Sequence, residues 1–132
     1  MQTLGIRDII GPVMIGPSSS HTAGALRIAL MCRHLLAHEP ARVTFTLYGS
    51  FAHTYHGHGT DRALVAGMLG LSADDERIRD SFELACAAGL ICEFVPDETT
   101  ICGHPNTVDI EVVDAEGVTT CVRGESIGGG AA

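Results

Sequence analysis

The sequence predicts an α+β domain, a sheet with helices on one face, and three observations carry the prediction. Apolar residues recur near the helical period between Ala23 and Leu36, Val43–Tyr48 alternates apolar and hydroxyl side chains, and the last third holds two strand-like runs joined by a tight turn. Helices and hairpin strands of this kind pack as two layers around one core. At 132 residues the chain suffices for one such core, and residues 1–132 are read as one domain.

The elements follow in order. Leu4–Ile10 is a short amphipathic piece closed by Gly11-Pro12, a helical turn or short helix. In the Ala23–Leu36 helix, Leu26, Ile28, Ala29, Leu30, Cys32, Leu35 and Leu36 recur near the helical period, while Arg27, Arg33 and His34 fall mainly on the other side; Pro40 closes the segment. Val43, Phe45 and Leu47 alternate with Thr44 and Thr46, which predicts a strand with one buried face, ended by Gly49-Ser50. A helix over Thr60–Gly70 follows, with Asp61 near its start. Ser72–Glu76 is a polar linker in which Ser72 is placed to cap a helix over Asp74–Ala88, and Gly89 suits that helix's end. Leu90–Val95 reads as a strand and Pro96–Gly103 as a turn-rich connection. Thr107–Val113 and Val118–Val122 make a hairpin around Ala115-Glu116-Gly117.

Charge and cysteine content narrow the function classes. The formal net charge is −8 and no segment is rich in Lys or Arg, which argues against nucleic acid, because phosphate neutralisation needs a basic face. Apolar runs are broken within a turn or two and the N-terminus lacks a basic start, so neither a membrane span nor a signal peptide is expected and a cytoplasmic location follows by default. Cys32, Cys86, Cys92, Cys102 and Cys121 form no C-x-x-C pair. They are read as buried small hydrophobes rather than as disulfides or metal ligands.

Three polar segments stand out as candidate sites. Ile15-Gly16-Pro17-Ser18-Ser19-Ser20-His21-Thr22-Ala23-Gly24 sets four hydroxyls and an imidazole at a helix start, where unpaired backbone N–H groups and the helix dipole attract carboxylates. Serine is also a favoured N-cap, but capping does not require the imidazole of His21. The order of residues does not fit the G-x-S-x-G turn of a nucleophilic serine. Gly57-His58-Gly59-Thr60-Asp61 repeats the plan ahead of Ala63-Leu64-Val65, so the two helix-opening loops suggest one shared pocket. Glycines on both sides of His58 let a ligand approach closely, and an imidazole can take a proton from carbon or oxygen if a partner such as Thr60 or Asp61 orients it. The plainer reading makes His58 a loop residue and Asp61 a first-turn acid favoured by the dipole. His53, His56 and His58 lack helical i, i+4 spacing and an evident fourth ligand, which argues against a metal site. Gly103-His104-Pro105-Asn106-Thr107 offers a third imidazole and an amide, either for a small polar ligand or simply as a turn. Gly128-Gly129-Gly130 reads as flexible chain.

Taken in order, the Ile15–Gly24 segment, Leu47-Tyr48-Gly49-Ser50-Phe51-Ala52, Gly57–Asp61, His104-Pro105-Asn106-Thr107 and Ser126-Ile127-Gly128-Gly129-Gly130 resemble the β chain, or β domain, of the iron–sulfur-dependent L-serine dehydratases. The resemblance covers almost the whole chain. It implies deamination of L-serine to pyruvate and ammonia, with a 4Fe–4S cluster held by a partner α chain and no metal held by this chain. It implies His58 as general base and places Ser18, Ser19, Ser20, His21, Thr22, His104 and Asn106 near the α-chain active site or a serine-binding site; Thr60 and Asp61, read above as orienters of His58, are taken as substrate-binding with them. It also implies a fold like the allosteric substrate-binding domain of D-3-phosphoglycerate dehydrogenase. The expected partners are the α chain and L-serine, with self-association allowed and no nucleic acid or membrane. His56 stands where many relatives carry Lys, and the chain ends at Ala132 without the family's ACT-type domain. The alternative is a non-catalytic module that binds serine or a small anion.

Overall fold

The structure, a computed structural model, describes residues 13–16, 21–54, 59–72, 74–100 and 106–126. Its strands are β1 (Val13–Gly16), β2 (Pro40–Tyr48), β3 (Ile91–Asp97), β4 (Asn106–Asp114) and β5 (Thr119–Ser126). Its helices are α1 (His21–His34), α2 (Gly49–Thr54), α3 (Thr60–Met68) and α4 (Ser81–Ala88), the last preceded by a 3-10 turn over Glu76–Asp80. The strands form one mixed sheet in the order β1-β5-β4-β2-β3.

The expected alternation decides which face is buried. Phe94, Phe45, Ile110 and Val122 fall in one cross-strand row, and Leu47 pairs with Val108 beside it. Phe45, Leu47, Val108, Ile110 and Val122 are fully buried, and the Phe45 and Phe94 rings stack with centroids 5.3 Å apart. Each such burial contributes roughly 1.5–3 kcal/mol. The opposite parity faces away from the core: Thr44, Thr46, Glu93, Val95 and Glu111 are half-buried or exposed there, while Tyr48, Thr107 and Asp109 are buried. The helices therefore cover one face, as the sequence predicts.

The helical layer meets the sheet in one apolar cluster built from Leu26, Ile28, Ala29 and Cys32 of α1, Ala63–Ala66 and Met68 of α3, and the sheet's inner row. Two glycines set how closely its parts approach. A Cβ at Gly67 of α3 would lie 2.4 Å from the Leu26 carbonyl oxygen and 2.8 Å from the Ala29 Cβ, so α1 and α3 touch backbone to backbone. A Cβ at Gly124 of β5 would lie 2.1 Å from Ile28 Cγ2, which places α1 directly on the sheet.

Four features depart from the sequence reading. The pairs β1–β5 and β2–β3 are parallel, and only the β4 pairings are antiparallel. Parallel neighbours need a crossover, which α3 with α4 supplies between β2 and β3, whereas β1 and its parallel neighbour β5 are joined through all the elements between them. The chain does not simply end a strand at Gly49-Ser50: Gly49, at φ 55, turns it into α2, whose Phe51 and Ala52 enter the core. The helix expected over Asp74–Ala88 is split. Asp75 rather than Ser72 caps the 3-10 turn by accepting from the Arg77 N–H, while Ser72 donates to Asp74. The Ser81 hydroxyl donates to the Arg62 carbonyl at 2.9 Å and ties the start of α4 to α3. Pro96, expected in a turn, lies within β3, where an edge strand tolerates the missing N–H.

Other expectations hold. Gly89 ends α4 in the left-handed conformation at φ 78. The β4–β5 turn is closed by Asp114, whose carboxylate accepts from the Glu116 and Val118 N–H groups at 2.9 Å each. Cys32 is fully buried, and burial, with Cys121 nearby, pushes its thiol up to about 12. Cys92 is half-buried and pushed up to about 11 by the same cause, whereas Cys86 on α4 is exposed, contrary to the expectation of buried cysteines. The Leu4–Ile10 piece and Cys102 lie outside the described residues.

Candidate functional site

Strand direction gathers the sequence motifs at one edge of the sheet. β1, β5, β2 and β3 run the same way and β4 runs against them, so the carboxyl ends of four strands align with the amino end of β4. The register makes this explicit: Gly16 pairs with Ser126, Glu125 with Thr107, Thr107 with Tyr48, and Tyr48 with Asp97. Residues 17–20 connect Gly16 to α1, residues 49–59 connect Tyr48 to α3, residues 98–105 connect Asp97 to β4, and residues 127–130 follow Ser126. Each motif segment attaches at this edge, the side of an open sheet where ligands are bound in α/β folds.

The two long helices start on the same side. Arg33, in the last turn of α1, donates from Nη1 to the carbonyl oxygen of Met68 at the end of α3, 2.7 Å away. With their carboxyl ends together and Gly67 packed on Leu26 and Ala29, α1 and α3 run side by side in the same direction. Their positive N-terminal ends therefore both face the motif edge, a field suited to a carboxylate.

Thr60 and Asp61 are the site residues whose side chains the structure describes. Gly59 precedes α3 in the left-handed conformation at φ 86 and provides no side-chain cap. Thr60, the first helical residue, is fully buried, and its Oγ1 has no hydrogen-bond partner among the described residues. Burying a hydroxyl unpaired costs about 1–3 kcal/mol, so a core position would favour valine. Asp61 is buried at 7 % exposure and accepts from the Arg62 N–H at 2.7 Å, the geometry of a first-turn acid compensating the helix dipole.

His21 and Thr22 are the first two residues of α1 and Asn106 is the first of β4, so all three stand at this edge. Ser18, Ser19, Ser20, His58 and His104 lie outside the described residues, as do the side chains of His21, Thr22 and Asn106. His53, part of the histidine string weighed as a metal motif, is exposed and lies 3.9 Å from Glu98. Among the described residues no three His, Cys, Asp or Glu side chains come together in a set able to hold a metal.

The strand-end edge also carries polar structure that the sequence reading missed. The Tyr48 hydroxyl donates to Asp109 Oδ2 at 2.8 Å, and Arg123 donates to the same carboxylate from Nε at 2.7 Å and Nη2 at 3.0 Å. The guanidinium carbon also sits 5.6 Å from the Tyr48 ring centroid. Asp109 and Arg123 are register partners in the β4–β5 hairpin, so that pair was within reach of the hairpin reading; Tyr48 comes from another strand and was not. At the end of β3, Asp97 accepts from the backbone and hydroxyl of Thr100 and of Thr99, which holds its carboxyl at about 2.

Fold and edge together define an α+β domain in which the motif segments and the N-terminal ends of α1 and α3 meet one strand-end edge. Residues 7–87 match the family model described as serine dehydratase beta chain, and the chain belongs to that family. It is 51 % identical to "L-serine dehydratase, beta chain" of Peptoniphilus asaccharolyticus, over 94 % of this chain and 56 % of that one. It is 50 % identical to "Probable L-serine dehydratase, beta chain" of Bacillus subtilis (strain 168), over 98 % of this chain and 58 % of the relative. A Streptomyces coelicolor "L-serine dehydratase" is 34 % identical over 88 % of this chain and 30 % of its own length. The chain thus spans somewhat more than half the length of the two beta chains it matches.

Proposed function

We propose that this chain supplies the β part of an L-serine dehydratase, which deaminates L-serine to pyruvate and ammonia together with an α chain. The observation that carries the reading is the attachment of every motif segment at one sheet edge, with the unpaired Thr60 hydroxyl buried beside it. The beta-chain names of the relatives support the α partner.

In this reading the N-terminal ends of α1 and α3, with Ser18, Ser19, Ser20, His21 and Thr22, hold the serine carboxylate. Thr60 gives its hydroxyl a partner on the ligand, Asp61 fixes the first turn of α3, and His104 with Asn106 completes polar recognition. His58 takes the Cα proton as general base, and the Cβ–O bond breaks as the electron pair moves between Cα and Cβ. The hydroxyl leaves as water after gaining a proton, and the resulting aminoacrylate tautomerises to an imine that water converts to pyruvate and ammonia. The reading assigns the 4Fe–4S cluster to the α chain and to this chain the proton transfer and substrate recognition just described.

Kinship with the allosteric substrate-binding domain of D-3-phosphoglycerate dehydrogenase belongs to the same reading, supported by the α+β layering. So does a cytoplasmic location: among the described residues no helix is long and apolar enough to cross a membrane.

Mixing this chain with its cluster-bearing α chain, wild type against His58→Ala, tests the proposal. The variant is expected to assemble normally while kcat falls on the order of a hundredfold or more. An unchanged kcat in the assembled complex would leave a serine-binding module without a catalytic group.

A further inference from the structure

We infer that Tyr48, Asp109 and Arg123 form a positioning unit that fixes the strand ends from which the proposed site's segments depart. The inference rests on the L-serine dehydratase reading for its catalytic readout, though not for its structural one.

The trio lies on the sheet face turned away from the helices, yet it is well covered: Tyr48 is fully buried and Asp109 is 8 % exposed. It joins three strands, because Tyr48 ends β2, Asp109 lies in β4 and Arg123 in β5. Arg123 and Asp109 are direct register partners, and Tyr48 reaches Asp109 diagonally past its own partner Thr107. Thr107 is itself fully buried.

Such a cluster is a weak device for stability, because desolvating a carboxylate and a guanidinium offsets most of their attraction. It is a strong device for register. Among the described residues the carboxylate receives three directional hydrogen bonds from two other strands, and a slip of either strand would break at least one of them. The clamped positions lie at or near the departure points. Gly49 follows Tyr48 and turns the chain at φ 55 toward α2 and the His58 segment, while Asn106 and the His104 segment adjoin Thr107. Tyr48, Asp109 and Arg123 thus act through the segments they hold and have no assigned contact with substrate.

Two variants with two readouts test this. Tyr48→Phe removes one hydroxyl from a ring that stays packed, and Asp109→Asn removes the acceptor charge. In this chain, amide hydrogen exchange at Thr60–Arg62 and Thr107–Val108 should quicken in Tyr48→Phe while the strand centres keep their protection. With the α chain, kcat should fall about tenfold with KM for serine little changed, the signature of a displaced catalytic group rather than lost binding. Adding Tyr48→Phe to Asp109→Asn should lower kcat no further, since the hydroxyl acts through that carboxylate. If Tyr48→Phe lowers the melting temperature but leaves those exchange rates and kcat per folded molecule at wild-type values, the positioning role is overturned. Should Asp109→Asn fail to fold, Tyr48→Phe alone decides. A wild-type complex that does not deaminate serine would overturn the functional reading instead, and the exchange data would still judge the positioning unit.

Discussion

The two faces of the sheet are held by different physics. Under the helices, contact is apolar and close enough that two glycines are needed, Gly67 against α1 and Gly124 beneath Ile28. On the other face, the buried contact at the strand ends is ionic and directional, centred on Asp109. Dispersion and hydrophobic burial set how tightly layers pack but tolerate small slides, whereas a shared carboxylate fixes strand positions relative to one another. The difference teaches that one sheet can separate stability from alignment by assigning them to opposite faces.

Substitution at the glycines breaks the comparison most severely. Gly67→Ala forces α1 and α3 apart, since the nearest obstacle is the Leu26 backbone oxygen, and it should cost about 3 kcal/mol in chemical denaturation, the upper part of the usual overpacking range. Gly124→Ala meets the buried side chain of Ile28 rather than backbone, so about 2 kcal/mol is expected. Both should leave kcat of the assembled, folded molecules unchanged; a kcat loss without a stability loss would contradict the division between the faces.

Thr60→Val sharpens the comparison at the motif edge. Removing a buried, unpaired hydroxyl at nearly constant shape should leave stability equal to wild type or raise it by about 1 kcal/mol. Serine KM in the complex should rise. An unaltered KM would make the hydroxyl a packing feature and remove Thr60 from the proposed site.

The smallest expected effect is electrostatic. The Asp97 carboxyl is held below its usual value of 3.8, at about 2, first by the Thr100 backbone and hydroxyl bonds and then by those of Thr99. A depressed carboxyl contributes stability above its unfolded pKa and loses it as pH falls through the folded value. The melting-temperature difference between wild type and Asp97→Asn should therefore be constant above about pH 5 and shrink progressively as pH falls from there to about 2. A difference that does not vary with pH would show that the Asx turn works without its charge.

Most of this architecture was legible where a pattern runs long enough to repeat. α1, β2 and the β4–β5 hairpin declared themselves through the spacing of Leu26, Ile28 and Cys32, the Val43-Phe45-Leu47 alternation, and the Ala115–Gly117 turn. β1 and α2 did not, because four and six residues are too few to show a period. The parallel pairings were hidden for another reason: strand order is a tertiary choice that no local window contains. Residue types at the site were readable from the motifs, but their convergence depended on β4 running against its neighbours, and the Tyr48–Asp109 bond on a register set across the fold.

The pairing of β1 with β5 joins Val13 to Arg123, nearly the full span of the sequence. Closing so large a loop carries the greatest chain-entropy cost of any pair in this sheet, and only four residues on each strand offset it. In kinetic terms β1 is expected to dock last during folding and to open first in native-state fluctuations. The segment carrying Ser18–His21 hangs from that strand, so the timing of the chain's longest-range contact also sets when this part of the proposed site becomes complete.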